Sequence, residues 1–273
     1  MAANCRFCSL AMPLPSRFRS VVVLALGLGL AACEVGDEPL ADEVVGDESN
    51  GVAARRVLLC QQGLSDRTME WDKGLFEICE AAEAAGMELV RDGEFPAFGA
   101  LDQGGAYAAL FDTLDVNNDG FVTKQDGSTL VYLVGFSWGG INVTDIADWM
   151  RRDGNISTAR KGIAGLVLLD PFQPQVSRAR IPSNVNRAWV YRQTDTTSGD
   201  CSTYASLGFG FNGHRPRAMS EMTFCSMYDL DTFAGAVGHC DVPVVARDAA
   251  ILNLTERLDY EPWAEHAVDC PTE

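Results

Sequence analysis

Residues 129–140 read TLVYLVGFSWGG, and this stretch decides which fold the chain can adopt. The apolar run at 129–134 predicts a buried strand, and residues 141–151 have the composition of a helix. Between them, the segment GFSWGG places Ser137 on a sharp turn from strand to helix, an arrangement known as a nucleophile elbow. Glycines flank such a turn because larger side chains would collide there. The sequence therefore predicts an exposed serine hydroxyl above a sheet, beside a backbone N–H of Trp138 that is available to an oxyanion.

Strand and helix signals alternate on both sides of this stretch. Four more short runs predict strands, at residues 56–61, 87–91, 163–169 and 188–192. Helices are predicted at residues 75–85, 106–114, 141–151 and 244–258. Strands with continuously apolar sequences are typical of sheets that are buried on both faces. We therefore expect an α/β protein with a mostly parallel central sheet and helices on both faces.

Three features of the segment from Arg56 to Leu258 resemble the α/β-hydrolase superfamily, in particular its small lidless bacterial lipases and esterases. They are the elbow at Ser137, a predicted strand that ends in Asp195, and a Gly-His loop that brings His239 just before the last helix. The order Ser137, Asp195, His239 matches the Ser…Asp…His order of that superfamily. The resemblance implies the α/β-hydrolase fold and a serine hydrolase, lipase-like or carboxylesterase-like, with these three catalytic residues.

The acid and the histidine both have alternatives. Asp170, in the segment LLDP, also follows a predicted strand, and some lipases carry their triad acid after this earlier strand. Asp170 is therefore the alternative to Asp195. His214 is the reserve for His239, whereas His266 lies in the C-terminal tail.

A second oxyanion donor is expected from the loop after the first predicted strand. In the segment CQQGL, residues 60–64, we nominate the backbone N–H of Leu64 to act together with that of Trp138. Gln62 stands where the superfamily commonly has the histidine of a His-Gly pair, which is a departure from its pattern.

Residues 115–126, DVNNDGFVTKQD, follow the spacing of an EF-hand calcium loop. Gly120 stands at loop position 6, where the chain must turn sharply. The oxygen ligands expected at positions 1, 3, 5, 7, 9 and 12 are Asp115, Asn117, Asp119, Phe121 (through its carbonyl), Thr123 and Asp126. An aspartate at position 12 resembles the loops of dockerins and of single-loop insertions. We expect one structural Ca²⁺ that stabilises the start of the strand leading to Ser137.

The N-terminus predicts export and a lipid anchor. Residues 1–32 contain basic residues followed by the short apolar run 21–32, which is the pattern of a signal peptide. The run ends in Leu-Ala-Ala-Cys33, which resembles the lipobox of bacterial lipoproteins and predicts acylation of Cys33. Residues 33–52 are acidic and predict a flexible tether, so that residues 53–273 form the domain. We expect a protein of the bacterial cell envelope, attached to the membrane through this anchor.

Net charge and cysteine count restrict the class of partner and indicate the redox environment of the chain. A formal net charge of -17 argues against nucleic-acid binding, which needs a basic face. A monomer that acts on small-molecule or lipid esters is expected. Beyond Cys33 the chain has six cysteines, an even number that suggests up to three disulfides in an exported protein. Chain order alone suggests the pairs Cys60–Cys79, Cys201–Cys225 and Cys240–Cys270.

Two functions follow from these patterns. The first is an exported, lipid-anchored serine hydrolase with a structural calcium site. The alternative is a calcium-binding surface lipoprotein without catalytic activity, built on a hydrolase scaffold.

Overall fold

The structure is a computed structural model that describes residues 54–64, 72–173, 179–194, 213–256, 261 and 263–272. The signal peptide and tether predicted at residues 1–32 and 33–52 lie outside the described residues, and so do Cys33 and Asp195. Within the described part of the chain, no helix is long and apolar enough to span a membrane.

A mostly parallel sheet forms the centre of the domain. Among the described residues, seven strands lie in the order β2-β1-β3-β4-β6-β8-β9, and all neighbours are parallel except β8 and β9. These strands are β1 (Arg55–Gln61), β2 (Glu88–Val90), β3 (Thr129–Phe136), β4 (Ile163–Leu169), β6 (Val185–Arg192), β8 (Phe224–Asp229) and β9 (Val268–Asp269). Two short strands, β5 (Arg180–Ile181) and β7 (Arg217–Ala218), pair separately. The predicted parallel sheet is confirmed.

Helices cover both faces of this sheet. The described helices are α1 (Asp72–Ala84), α2 (Gln103–Leu114), α3 (Trp138–Arg152), α4 (Val242–Val245) and α5 (Arg247–Thr255). Apolar residues of α1 and α5 share one core cluster with side chains such as Trp189, whereas α2 and α3 share a second cluster with side chains such as Val190. Successive residues of one strand thus enter opposite cores, which is why the central strands are continuously apolar.

Several predicted boundaries differ from the structure. The single helix predicted at 244–258 is divided into α4 and α5. The strand β8 was not predicted, because its sequence mixes polar and apolar residues and begins at Phe224, which is 69% exposed. Only the central strands carry the continuous apolar signal, so an edge region of the sheet is harder to find in the sequence.

Two disulfides join strands to segments that pack beside them. Cys60 of β1 is bonded to Cys79 of α1, so this predicted pair is confirmed. Cys225 of β8 is bonded to Cys270, which shows that the pairs Cys201–Cys225 and Cys240–Cys270 are wrong. The antiparallel pairing of β8 with β9 brings Cys225 and Cys270 together, and chain order gives no sign of that contact. Cys240 is also disulfide-bonded.

Candidate active site

The serine of the elbow lies between the end of β3 and the start of α3. Ser137 has φ 54° and ψ −121°, a conformation that costs a non-glycine residue free energy and is concentrated at functional sites. Its N–H donates to the carbonyl of Leu169 at 2.9 Å, which ties the turn to the end of β4. At Gly139 any Cβ atom would overlap the backbone carbonyls of Gln61 and Gln62, so a glycine is required at this turn. The elbow predicted from the sequence has the expected strand–turn–helix context.

Both ring nitrogens of His239 are engaged. Its Nε2 lies 2.8 Å from Oγ of Ser137, and its Nδ1 lies 2.5 Å from Oδ2 of Asp170. His239 is 3% exposed and Asp170 is fully buried, so water scarcely competes for these contacts. With the proton on Nδ1, the imidazole donates to Asp170 and accepts the Ser137 hydroxyl at Nε2. This is the geometry in which a histidine acts as a general base toward serine.

Among the described residues, the carboxylate that contacts His239 is that of Asp170, the alternative acid of the sequence analysis. Asp195 lies outside the described residues. Asp170 follows the last residue of β4 and has φ 43°, and its N–H donates to the carbonyl of Tyr191 on β6 at 2.6 Å. Because β3, β4 and β6 are adjacent and parallel, their carboxyl ends bring Ser137 and Asp170 to the same edge of the sheet.

The two nominated oxyanion donors lie beside the serine turn. A Cβ atom at Gly63 would be 2.8 Å from Cβ of Ser137, which places the loop after β1 directly against the serine. Within the described residues, the N–H groups of Leu64 and Trp138 donate to no other group. Two unused N–H groups that flank a serine are what an oxyanion hole requires.

Aromatic rings line the histidine. Phe136 and Phe172 lie 5.1 Å and 6.1 Å from His239 between ring centroids. His214 stacks on Phe172 at 5.4 Å, and its Nε2 contacts the backbone of Gln173, so the reserve histidine borders the site but does not contact Ser137. His266 stacks instead on Phe233. Of the three histidines, His239 is the one whose ring nitrogen contacts Ser137.

Two residues that contact the carboxylate of Asp170 were not predicted from the sequence. Gln193 donates to its carboxylate from the backbone N–H at 3.0 Å and from Nε2 at 3.2 Å. Gly213 lies so close that any Cβ atom there would overlap Oδ1 of Asp170. Neither residue belongs to a local motif, because each contact joins segments that are distant in the chain.

We predict that Gly213→Ala lowers kcat by about 100-fold or more. The added methyl would push the Asp170 carboxylate away from His239, and a displacement of about 1 Å costs this much in an oriented site. Ester hydrolysis by the purified variants would be measured together with thermal melting. Gly162→Ala is the control: Gly162 precedes β4, and a Cβ atom there would meet nothing within 4 Å. Wild-type activity in Gly213→Ala would contradict the assigned position of Asp170.

The predicted calcium loop is folded around its first aspartate. Oδ1 and Oδ2 of Asp115 accept the N–H groups of Asp119 at 3.2 Å and Gly120 at 2.8 Å. Gly120 has φ 82°, the left-handed conformation that favours glycine at the sharp turn. Asp126 caps the end of the loop, since its carboxylate accepts the N–H of Thr123 at 2.8 Å.

The loop contains two buried carboxylates, those of Asp115 and Asp126. Asp115 and Asp126 are 6% and 5% exposed, and within the described residues neither forms an ion pair with a basic side chain. Buried carboxylates without a cationic partner fit a bound cation. The carboxylates have not converged, however: in the described part of the chain, no three His, Cys, Asp or Glu side chains form a metal-holding group. The loop therefore contains oxygen ligands of the type that calcium prefers, but its carboxylates accept hydrogen bonds from backbone N–H groups of the loop.

The loop lies at the end of the sheet opposite to Ser137. It precedes β3, whereas Ser137 follows it, and the strand spans about 25 Å. Val122 pairs with the segment after α3: its N–H donates to Asn155 and its carbonyl accepts from Ser157, both at 2.9 Å. The loop thus joins the starts of β3 and β4, so an ion there would act on stability and not on the reacting atoms.

Solved structures with a related architecture include three hydrolases of low sequence identity. Dienelactone hydrolase from Anabaena variabilis is 12% identical, with 73% of this chain and 85% of that chain covered and a TM-score of 0.34. Est1E from Butyrivibrio proteoclasticus is 12% identical, with 78% and 92% covered and a TM-score of 0.36. A predicted CIB-like hydrolase from Thermoplasma acidophilum is 14% identical, with 75% and 88% covered and a TM-score of 0.37.

No protein-family model matches the chain, and neither does any curated protein sequence. The sheet order, the helices on both faces and the elbow at the end of β3 define the class of protein: this chain has the α/β-hydrolase fold.

Proposed function

We propose that this protein is a serine hydrolase that cleaves carboxylic esters or lipids through an acyl-enzyme on Ser137. The observation that carries the proposal is the continuous contact from Ser137 through His239 to Asp170. The histidine is buried between the other two groups, and both of its ring nitrogens point at the partners that general-base catalysis requires. An assembled triad favours this function over that of a binding protein without catalytic activity.

In the first half of the reaction, Oγ of Ser137 attacks the ester carbonyl while Nε2 of His239 takes the hydroxyl proton. The negative charge that develops on the carbonyl oxygen is stabilised by the N–H groups of Leu64 and Trp138. Asp170 stabilises the imidazolium and keeps its ring oriented. When the tetrahedral intermediate collapses, the C–O bond to the alcohol breaks and His239 returns its proton to the leaving alcohol, which leaves an ester on Ser137.

In the second half, water replaces the alcohol. His239 removes a proton from water, the resulting hydroxide attacks the acyl carbon, and the same two N–H groups stabilise the second tetrahedral intermediate. Collapse breaks the bond to Oγ of Ser137, which regains its proton from His239, and the carboxylic acid leaves. Each turnover therefore consumes one ester and one water and restores the enzyme.

The experiment that tests this function is a hydrolysis panel of p-nitrophenyl esters with acyl chains of increasing length. The expected result is turnover of at least one ester by the wild type and its loss in His239→Ala. The chain length that gives the highest kcat/KM would separate small esters from lipids as the substrate class. A panel without turnover, on protein that melts cooperatively, would contradict the proposal.

The proposal also includes export and a lipid anchor on Cys33, in the bacterial cell envelope. The signal-peptide pattern and the Leu-Ala-Ala-Cys33 segment support it. The disulfides Cys60–Cys79 and Cys225–Cys270 are consistent with it, because such bonds persist in oxidising compartments. In this arrangement, the acidic segment 33–52 would join the lipid to the hydrolase domain.

We further propose that the loop 115–126 binds one structural Ca²⁺. The residues that would hold it are the six predicted ligands, through carboxylate, amide, hydroxyl and carbonyl oxygens of the type that calcium prefers. The two buried carboxylates support this, since they lack a basic partner among the described residues. A cation there would compensate their charge and strengthen the junction between the starts of β3 and β4.

We predict that adding Ca²⁺ to chelator-treated protein raises the melting temperature by about 5–10 °C at a concentration near one hundred times its Kd. Differential scanning calorimetry with and without Ca²⁺ measures this effect. Asp115→Asn should abolish it, whereas Asp112→Asn, which removes an exposed charge from α2, should preserve it. A melting temperature that is the same with chelator and with Ca²⁺ would contradict a structural ion.

A further inference from the structure

We propose that Gln193 is a positioning residue that holds the Asp170 carboxylate in place for His239; this inference rests on the proposed hydrolase function. Gln193 follows β6 and is fully buried. Its backbone N–H donates to Oδ1 of Asp170 at 3.0 Å, and its side-chain Nε2 donates to Oδ2 at 3.2 Å. Oδ2 is also the atom that lies 2.5 Å from Nδ1 of His239. One residue thus contacts both oxygens of the carboxylate that orients the histidine.

The strand register explains why this residue reaches the acid. Leu169, the last residue of β4, pairs with Tyr191 of β6, and the N–H of the following Asp170 donates to the carbonyl of Tyr191. Gln193 lies two residues beyond Tyr191. Side chains two residues apart on a strand point to the same face of the sheet, so Gln193 lies on the face that Tyr191 occupies. The neighbouring strand therefore supplies the donors that a carboxylate at the end of β4 needs.

Burial makes these donors important. Asp170 is fully buried, and among the described residues its one ion-pair partner is His239. A buried carboxylate needs hydrogen bonds to remain ionised. The amide of Gln193 donates such a hydrogen bond but carries no positive charge, so it does not compete with the imidazolium for the carboxylate of Asp170. Two donors on two oxygens also oppose rotation of the carboxylate away from His239.

The residue after Gln193 extends this support to the histidine loop. The N–H and Oγ1 of Thr194 donate to Oδ2 of Asp231 at 2.5 Å and 2.8 Å. Oδ1 of Asp231 accepts the N–H of Val237 at 3.4 Å, two residues before His239. The end of β6 therefore contacts the acid through one residue and, through the next, the loop that carries the base.

Three acidic residues lie near His239, and each accepts a hydrogen bond from the loop that carries the histidine. Asp170 faces its Nδ1 directly, whereas Asp231 and Asp241 accept backbone N–H groups of Val237 and Gly238 in the same loop. The ring itself is packed by Phe136 and Phe172. A change at Gln193 is therefore expected to act on His239 through the carboxylate of Asp170.

The test compares Gln193→Leu and Gln193→Glu with wild type, using kcat/KM for p-nitrophenyl acetate across pH. Leucine removes the Nε2 donor and leaves the backbone donor, so kcat should fall about 10- to 100-fold. The less satisfied Asp170 then binds the imidazolium more strongly, and the acidic limb of the profile should move to higher pH by about 0.5–1 unit. Glutamate should be less active than leucine at neutral pH, because its carboxylate would lie beside the like-charged carboxylate of Asp170.

Asn184→Leu is the matched control, because Asn184 is a buried amide just before the start of the same strand, with hydrogen bonds to Ala147 and Lys161 at the opposite end of the sheet. It should reduce stability without moving the pH profile. The inference is overturned if Gln193→Leu keeps activity within threefold and an unchanged acidic limb, or if the control moves the profile equally. Those outcomes leave the hydrolase proposal standing, whereas wild-type protein without ester turnover would overturn the hydrolase proposal itself.

Discussion

Ser137→Ala is expected to lower kcat for ester hydrolysis by about 10⁵- to 10⁶-fold, to the residual level that the oxyanion donors and substrate binding can supply. The substitution removes the atom that forms the acyl-enzyme and leaves His239 and Asp170 in place. Its stability should change little, because the unusual φ of residue 137 is retained and only the hydrogen bond from Oγ to Nε2 is lost. Purified wild type and variant would be compared with the best ester of the panel.

A matched variant controls for the effect of a serine-to-alanine change elsewhere in the domain. Ser157→Ala changes a serine in the segment beside the loop 115–126, at the opposite end of the sheet, and should retain wild-type kcat. Activity of Ser137→Ala above about one per cent of wild type would show that another group is the nucleophile.

Asp170→Asn is the second large effect, with an expected loss of about 10⁴-fold in kcat, the magnitude that this substitution gives in serine-protease triads. An asparagine in this position can present an amide donor to Nδ1, which favours the tautomer that cannot accept the serine proton. Nucleophile and oxyanion donors are unchanged, so substrate binding should be preserved. Stopped-flow or steady-state hydrolysis measures the loss in kcat at nearly constant KM.

Asp195→Asn is the control for that prediction, since Asp195 is the acid that the superfamily order favoured. Its kcat should remain within about threefold of wild type. If Asp195→Asn lost activity as severely as Asp170→Asn does, the contact between Asp170 and His239 would not be the one used in the reaction.

Local patterns were sufficient to predict the fold and to select Ser137 and His239, which lie in contact in the structure. The strand before Ser137 is continuously apolar, the turn needs small residues, and a helix follows, so all three signals lie within one short segment. His239 was selected because the sequence has only three histidines and one follows a glycine just before a helix. These features can be found without knowing which distant segments meet.

The acid could not be chosen in this way. Asp170 and Asp195 both follow predicted strands, and each strand is adjacent to the other in the sheet. The choice depends on which carboxylate points at Nδ1 of His239 across the sheet edge, and no sequence spacing encodes that direction. Gln193 and Gly213 were missed for the same reason, because their roles consist of contacts with Asp170 over more than twenty residues.

The proposed function requires Ser137 to be an activated nucleophile in the folded protein. Mass spectrometry of the protein after reaction with a fluorophosphonate tests it most directly. We expect one covalent adduct, on the peptide that contains Ser137, which is lost in Ser137→Ala and strongly slowed in His239→Ala and Asp170→Asn. Folded wild-type protein that remains unlabelled at Ser137, or that is labelled at another residue, would contradict it.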